Sequence, residues 1–135
     1  MIEPLAAADT AAAVTLWAEA GLTRPWNDPA ADIALALGSP HSTILAARDA
    51  AGLAGTVMAG VDGHRGWVYY LAVAGRARGT GLGRELMAAA ESWIAARGVA
   101  RLNLMVRTDN AAVLGFYEHL GYRRADVAVL QRDLR

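Results

Sequence analysis

The sequence has no cysteine. That excludes disulfides, thiolate nucleophiles and cysteine-ligated zinc. It also has no lysine, because all 13 of its basic residues are arginine, so Schiff-base chemistry on a lysine amine is excluded as well. An excess of charge of either sign is missing: 13 basic residues balance 13 acidic ones, which leaves neither a basic footprint for nucleic acid nor an acidic tail. Apolar runs long enough for a bilayer, about 18 residues, are absent because charges interrupt every candidate. The N-terminus Met1-Ile2-Glu3-Pro4 places no basic segment before an apolar run, which predicts no signal peptide and a cytoplasmic location. What remains is a chain of 135 residues, 55% hydrophobic and 19% charged, in which no linker, repeat or composition break appears. Such a chain predicts one domain, residues 1–135, with a well-filled core.

Periodicity gives the element order. Met1 to Leu5 reads as a short strand. Asp9 or Thr10 caps a helix with Ala13, Leu16, Trp17 and Ala20 on one face and Gly21 as its stop. Asp28-Pro29 opens a second helix that ends near Gly38. Thr43–Ala47 and Leu53–Val61 read as a hairpin, and Trp67–Val73 is the most strand-like run, apolar on both faces and therefore central. A helix over about Leu82 to Arg97 follows, then a strand over Arg101–Val106 and a helix capped by Asn110 and stopped by Gly121. Tyr122–Arg124 and Val127–Leu134 read as a closing hairpin. The segment from Trp67 to Val106 is a strand-helix-strand crossover, which demands one parallel pair in a sheet that is otherwise antiparallel. The fold class is thus mixed α/β, with about four helices flanking the sheet.

The chemically informative segment is Arg76-Ala77-Arg78-Gly79-Thr80-Gly81-Leu82-Gly83-Arg84, which leaves a strand and enters a helix. Its glycines let backbone approach a ligand, and the first helical N–H groups have no internal partner. With the positive end of the helix dipole and three arginines, this is an anion site suited to a diphosphate. A Walker loop needs a lysine, and a Rossmann fingerprint needs glycine where Arg84 stands, so both fail.

The pattern Arg76-x-x-Gly79-x-Gly81 after an apolar strand resembles the acyl-CoA signature of the GNAT superfamily of N-acetyltransferases. Asn110-Ala-Ala-Val-Leu-Gly-Phe-Tyr117-Glu-His-Leu-Gly-Tyr122 resembles the second signature of that family, with Val113 where many relatives carry alanine. Arg24–Pro29 together with Asp62–Gly66 is similar to the YpeA-type bacterial members. The resemblance implies a GNAT fold and acetyl-CoA as co-substrate, with no metal. It implies that Arg76, Arg78, Gly79, Thr80, Gly81, Leu82 and Gly83 bind the diphosphate. Leu71, Ala72 and Val73 would pair with the pantetheine arm, and the N–H near Leu71 would face the thioester carbonyl. Asn110 would contact the arm, and Tyr117 would sit by the sulfur. Relatives are often dimers, which makes a homodimer the analogous expectation.

Residue chemistry fills in the reaction. A tyrosine, with a reference pKa of about 10 against about 8.5 for a thiol, is protonated at neutral pH and can donate to a departing thiolate. That is the role expected of Tyr117. The absence of cysteine favours direct attack by the amine over an acetyl-cysteine intermediate. For the base, the strand start Trp67-Val68-Tyr69-Tyr70 offers no carboxylate. His64, or water relayed by backbone groups and Tyr69 or Tyr70, stays open. The acceptor pocket is expected to involve Trp26 as an apolar wall, Asn27 as a polar handle, and Tyr69 and Tyr70; Asp28 reads equally as a helix cap. The expected activity is acetyl transfer to a primary amine of a small molecule, peptide or protein. The rivals are an acyl-CoA-binding sensor without turnover and an enzyme acting on charged tRNA. Neither a nucleic acid nor a membrane is the expected partner.

Overall fold

The computed structural model describes all residues, Met1–Arg135. They fall into two compact units, Met1–Met105 and Val106–Arg135.

The first unit carries a five-stranded sheet in the order β1-β2-β3-β4-β5. Its strands are β1 (Ile2–Pro4), β2 (Ser42–Asp49), β3 (Gly52–Val61), β4 (Gly66–Val73) and β5 (Leu102–Leu104). Neighbours are antiparallel except β4 and β5, which run parallel through the crossover helix α3 (Leu82–Ala95), as the strand-helix-strand order requires. Between β1 and β2 lie α1 (Thr10–Glu19) and α2 (Pro29–Leu37). The start of α2 follows from its sequence: Asp28 accepts from the Ala31 N–H at 3.1 Å, and Pro29 stands where no N–H is needed.

Alternation along the strands sorts side chains between two layers. Ile44 and Ala46 of β2 join Leu16, Trp17, Ile33 and Ala36 of α1 and α2 in one cluster. On α3 the buried residues are Leu86, Met87, Ala90 and Ile94. Trp93 on the same helix is only partly buried and carries the Arg97 guanidinium 3.4 Å from its ring centroid. The helix lies close because glycine faces it. A Cβ at Gly66 would stand 2.3 Å from Ile94 Cγ2, and one at Gly55 2.8 Å from Leu86 Cδ1.

One irregularity organises the sheet. Thr56 pairs with Ala72 and Met58 with Tyr69, so β4 has one residue more than β3 over that interval. This bulge falls at Tyr70 and Leu71, and Tyr70 is the one non-glycine residue with positive φ, at +52°. It inverts the alternation. Before it, Gly66 faces α3; after it, Ala72 and Ala74 belong to the α1–α2 cluster.

The second unit contains α4 (Ala111–His119), capped by Asn110, whose side chain accepts from the Val113 N–H at 3.2 Å. The closing hairpin expected over residues 122–135 is not formed: no strand follows β5. That segment carries Arg123, Arg124, Asp126, Arg132, Asp133 and Arg135, and every residue from 123 onward is exposed. Its short apolar runs bury nothing in this chain, so a strand there would have no core to face.

Candidate functional site

β4 stays paired with β5 only through Gly66, Trp67 and Val68. Beyond Val68 the two strands part, and residues 69–73 pair with β3 alone. The N–H directions along this free edge follow from its end. Ala74 N–H donates to Ala54 C=O at 2.8 Å, toward β3. By alternation Val73 points its N–H group the other way, into the opening.

Three anchors hold the bulge beside that opening. The Tyr70 ring stacks on Trp17 with centroids 3.7 Å apart and planes 4° from parallel. Its carbonyl accepts from the hydroxyl of the fully buried Thr56 at 3.0 Å, and that same hydroxyl accepts from Trp17 Nε1 at 2.8 Å. The Tyr70 hydroxyl donates to Asp32 Oδ2 at 2.8 Å. Burial, helped by that carboxylate, pushes the Tyr70 phenol up to about 12.

The glycine-rich loop runs from β4 into α3. Gly79 and Gly81 have φ of +76° and +85°, a conformation side chains rarely adopt, although open space surrounds both. Thr80 Oγ1 donates back to Ala77 C=O at 2.5 Å. Glu85 N–H makes the first helical bond, to Gly81 C=O at 3.1 Å. The N–H groups of Leu82, Gly83 and Arg84 therefore have no helical acceptor. Arg78 is exposed. Arg76 is engaged elsewhere: Nε and Nη2 donate to Asp49 at 3.0 and 2.9 Å, and Nη2 also to Leu53 C=O at 3.0 Å. This forked pair ties the loop to the β2–β3 turn, and the Arg76 hydrogen bond holds the Asp49 carboxyl below its usual range. Arg76 thus supports the loop from behind, leaving its backbone and Arg78 for an anion.

A cleft of about 650 Å³ lies between α2 and the bulged stretch of the sheet. Asn27, Tyr69 and Tyr70 line it, as the sequence suggested. The inverted alternation is what brings two consecutive tyrosines to one cavity. Burial, then the charge of Asp62, pushes the Tyr69 phenol up. Trp26 does not line the cleft and is 73% exposed. Asp32 and Met58 line it too and were missed. For Asp32 a signal existed, since Asp32, Leu35, Ala36 and Ser39 share one face of α2 by their spacing.

His64 lies in a turn closed by Asp62, whose Oδ1 accepts from the His64 and Arg65 N–H groups at 2.8 and 2.7 Å. Those bonds hold the Asp62 carboxyl low. The imidazole is exposed and does not line the cleft, so the geometry favours a plain turn. In the second unit, Tyr117 is 9% exposed, edge-on to Phe116 at 5.1 Å and Tyr122 at 5.6 Å. Burial pushes its phenol up to about 12. No group of three or more His, Asp or Glu side chains is placed to hold a metal, and no helix is long and apolar enough to cross a membrane.

The parted strand beside a glycine-rich loop is the arrangement that the resemblance implies, and comparison with known proteins gives the family. The acetyltransferase (GNAT) family model matches residues 11–122, across both units. The chain belongs to that family and is an acetyltransferase. Acetyltransferase YE1169 of Yersinia enterocolitica is 43% identical over 121 residues, 90% of this chain and 86% of that protein. Acetyltransferase ECA0875 of Pectobacterium atrosepticum is also 43% identical, over 93% of this chain and 89% of its own length. Among solved structures, aminoglycoside N-acetyltransferase AAC(6')-Iy in complex with CoA superposes with a TM-score of 0.83. It covers 100% of this chain and 95% of that one at 17% identity, a likeness of fold.

Proposed function

We propose that this chain transfers the acetyl group of acetyl-CoA to a primary amine by direct attack, with residues 1–135 acting as one domain. The observation that carries the reading is the free edge of β4 at Leu71–Val73, which leads directly into the Gly79–Gly81 loop. The pantetheine arm lies along that edge as an added strand. The diphosphate sits on the N–H groups at the start of α3, with Arg78 beside it.

The Leu71 N–H faces the thioester carbonyl, and a donor of this kind contributes typically about 3 kcal/mol to an oxyanionic transition state. The acceptor enters from the cleft on the α2 side. It loses one proton to solvent, directly or through water held near Tyr69 and Tyr70, and the neutral nitrogen attacks. A carbon–nitrogen bond forms and the carbon–sulfur bond breaks. The nitrogen's surplus proton goes to solvent, and the departing thiolate receives one proton from Tyr117, which is then reprotonated from solvent. Family resemblance gives Tyr117 that role and gives Asn110 a contact to the CoA arm; the raised phenol pKa keeps Tyr117 in its donor form.

Two measurements test this. Calorimetry with acetyl-CoA reads binding, and release of free thiol over a panel of amines reads turnover. We expect heat on binding and amine-dependent thiol. Binding without release from any amine would convert the reading into that of an acyl-CoA sensor. No heat at all would overturn it.

A further inference from the structure

The cleft beside the bulge has an uneven chemistry. Among the residues that line it, Asp32 alone carries a formal charge. Arginine, histidine and glutamate are missing from its walls. One oxygen of Asp32 accepts from Tyr70, and no side chain or backbone group donates to its other oxygen, Oδ1. A carboxylate has about four acceptor positions, so capacity for another donor remains. Beside Asp32 on the same face of α2 lie Leu35 and Ala36, Met58 of β3 also lines the cleft, and Leu35 is 77% exposed.

One carboxylate beside an apolar wall is complementary to one ammonium on an apolar body. The site has a single acid to offer, so a polycation would find no second carboxylate for its further charges. An amine that also bears a carboxylate would meet Asp32 as a like charge. Asp32 holds the hydroxyl of Tyr70, whose backbone is part of the bulge, and an ammonium held there loses its proton and moves off Asp32 before its nitrogen attacks.

We propose that Asp32 anchors the acceptor's ammonium group and that the cleft selects a monocationic primary amine with a compact apolar body. This rests on the acetyl-transfer reading and adds its acceptor class. Discrimination here comes from exclusion as much as attraction, since charges that find no partner disfavour the wrong amines.

The test uses the whole chain, saturating acetyl-CoA, and thiol release with hexylamine, 2-phenylethylamine, 1,6-diaminohexane, glutamate, kanamycin and an unblocked hexapeptide. The two monoamines are expected to exceed every other compound in kcat/KM by about tenfold or more. Asp32→Asn keeps a hydrogen-bonding group beside Tyr70 but loses the charge. It should raise KM for hexylamine about tenfold, the scale of a charge-assisted contact, while acetyl-CoA binding and kcat change little. Leu35→Glu, at an exposed position, should move preference toward 1,6-diaminohexane. Hexylamine binding followed by quenching of intrinsic fluorescence should weaken in parallel in Asp32→Asn, and this readout needs no turnover. Preference for kanamycin, glutamate or the peptide would overturn the proposal. So would an unchanged hexylamine KM or affinity in Asp32→Asn. Failure of acetyl-CoA to bind would instead strike the acetyl-transfer reading, with hexylamine binding still reporting on Asp32.

Discussion

Replacing Thr56 by valine removes one hydroxyl and leaves the volume almost unchanged. In the native protein that hydroxyl accepts from Trp17 Nε1 and donates to the Tyr70 carbonyl, and neither Thr56 nor Trp17 has any accessible surface. Valine leaves the indole N–H without a partner in a dry site and deprives the carbonyl of its donor. An unsatisfied buried polar group costs about 1–3 kcal/mol. The indole suffers the full penalty and the part-buried carbonyl a smaller one, so the expected loss is about 2–4 kcal/mol. That is a large share of the roughly 5–15 kcal/mol that holds a typical domain folded. With a urea slope of about 2 kcal/mol per molar, the unfolding midpoint should fall by about 1–2 M. Tyr70, held at a φ of +52°, loses one of its three anchors. Leu71 follows it in the chain, so kcat should fall about tenfold while acetyl-CoA affinity changes little. Thr56→Ser retains the hydroxyl and should keep kcat near the wild-type value. A Thr56→Val protein within about 0.5 kcal/mol of wild type, with unchanged kcat, would refute the claim that this hydroxyl fixes the bulge.

Tyr117→Phe should lower turnover about a hundredfold or more, the usual scale for a lost proton donor, with acetyl-CoA affinity nearly kept; calorimetry beside thiol release separates the two. Gly66→Ala drives a methyl onto Ile94 and should destabilise by about 1–3 kcal/mol, read as a lower unfolding midpoint. The phenols of Tyr70 and Tyr117 are both raised to about 12 in the folded chain, against about 10 when unfolded. Their contribution to stability is complete below pH 10 and is lost as pH rises from about 10 toward 12. Unfolding midpoints should therefore decline over that window, and less steeply in Tyr70→Phe. In the same way, turnover should show no falling limb from Tyr117 below pH 10.

Much of this molecule is legible in its sequence, for reasons that can be named. Asp28-Pro29 and Asn110 mark helix starts because capping chemistry is local, and both side chains make the expected bonds. The parallel β4–β5 pair follows from chain order alone. The glycine loop is legible because positive φ demands glycine, and its two glycines do take that conformation. What escaped was set by pairing between distant segments. Tyr69 and Tyr70 are both expected in the acceptor pocket, but the bulge that brings two consecutive residues to it exists only against β3. The Arg76 side chain's bond to Asp49 is not legible locally, since that partner is 27 positions away in sequence. Asp32 does not stand out in the sequence: its spacing with Leu35 and Ala36 marks a helix face, but only the fold brings Tyr70 to it. Val127–Leu134 has the apolar run Val127–Leu130 that a strand would use, yet a run without a face to cover does not make one.

The inversion in β4 also constrains how this chain can change. Removing one residue at Tyr70 would restore regular pleating and turn Ala72 and Val73 over together. Small side chains would then be exchanged between layers that differ in depth, and the amide edge beside the opening would point its donors into β3. Point substitutions can be absorbed along this strand one at a time, but a change in its length cannot. Homologues with longer or shorter hairpins should therefore differ at the Asp49–Gly52 and Asp62–Gly66 turns and keep the count between Val68 and Ala74.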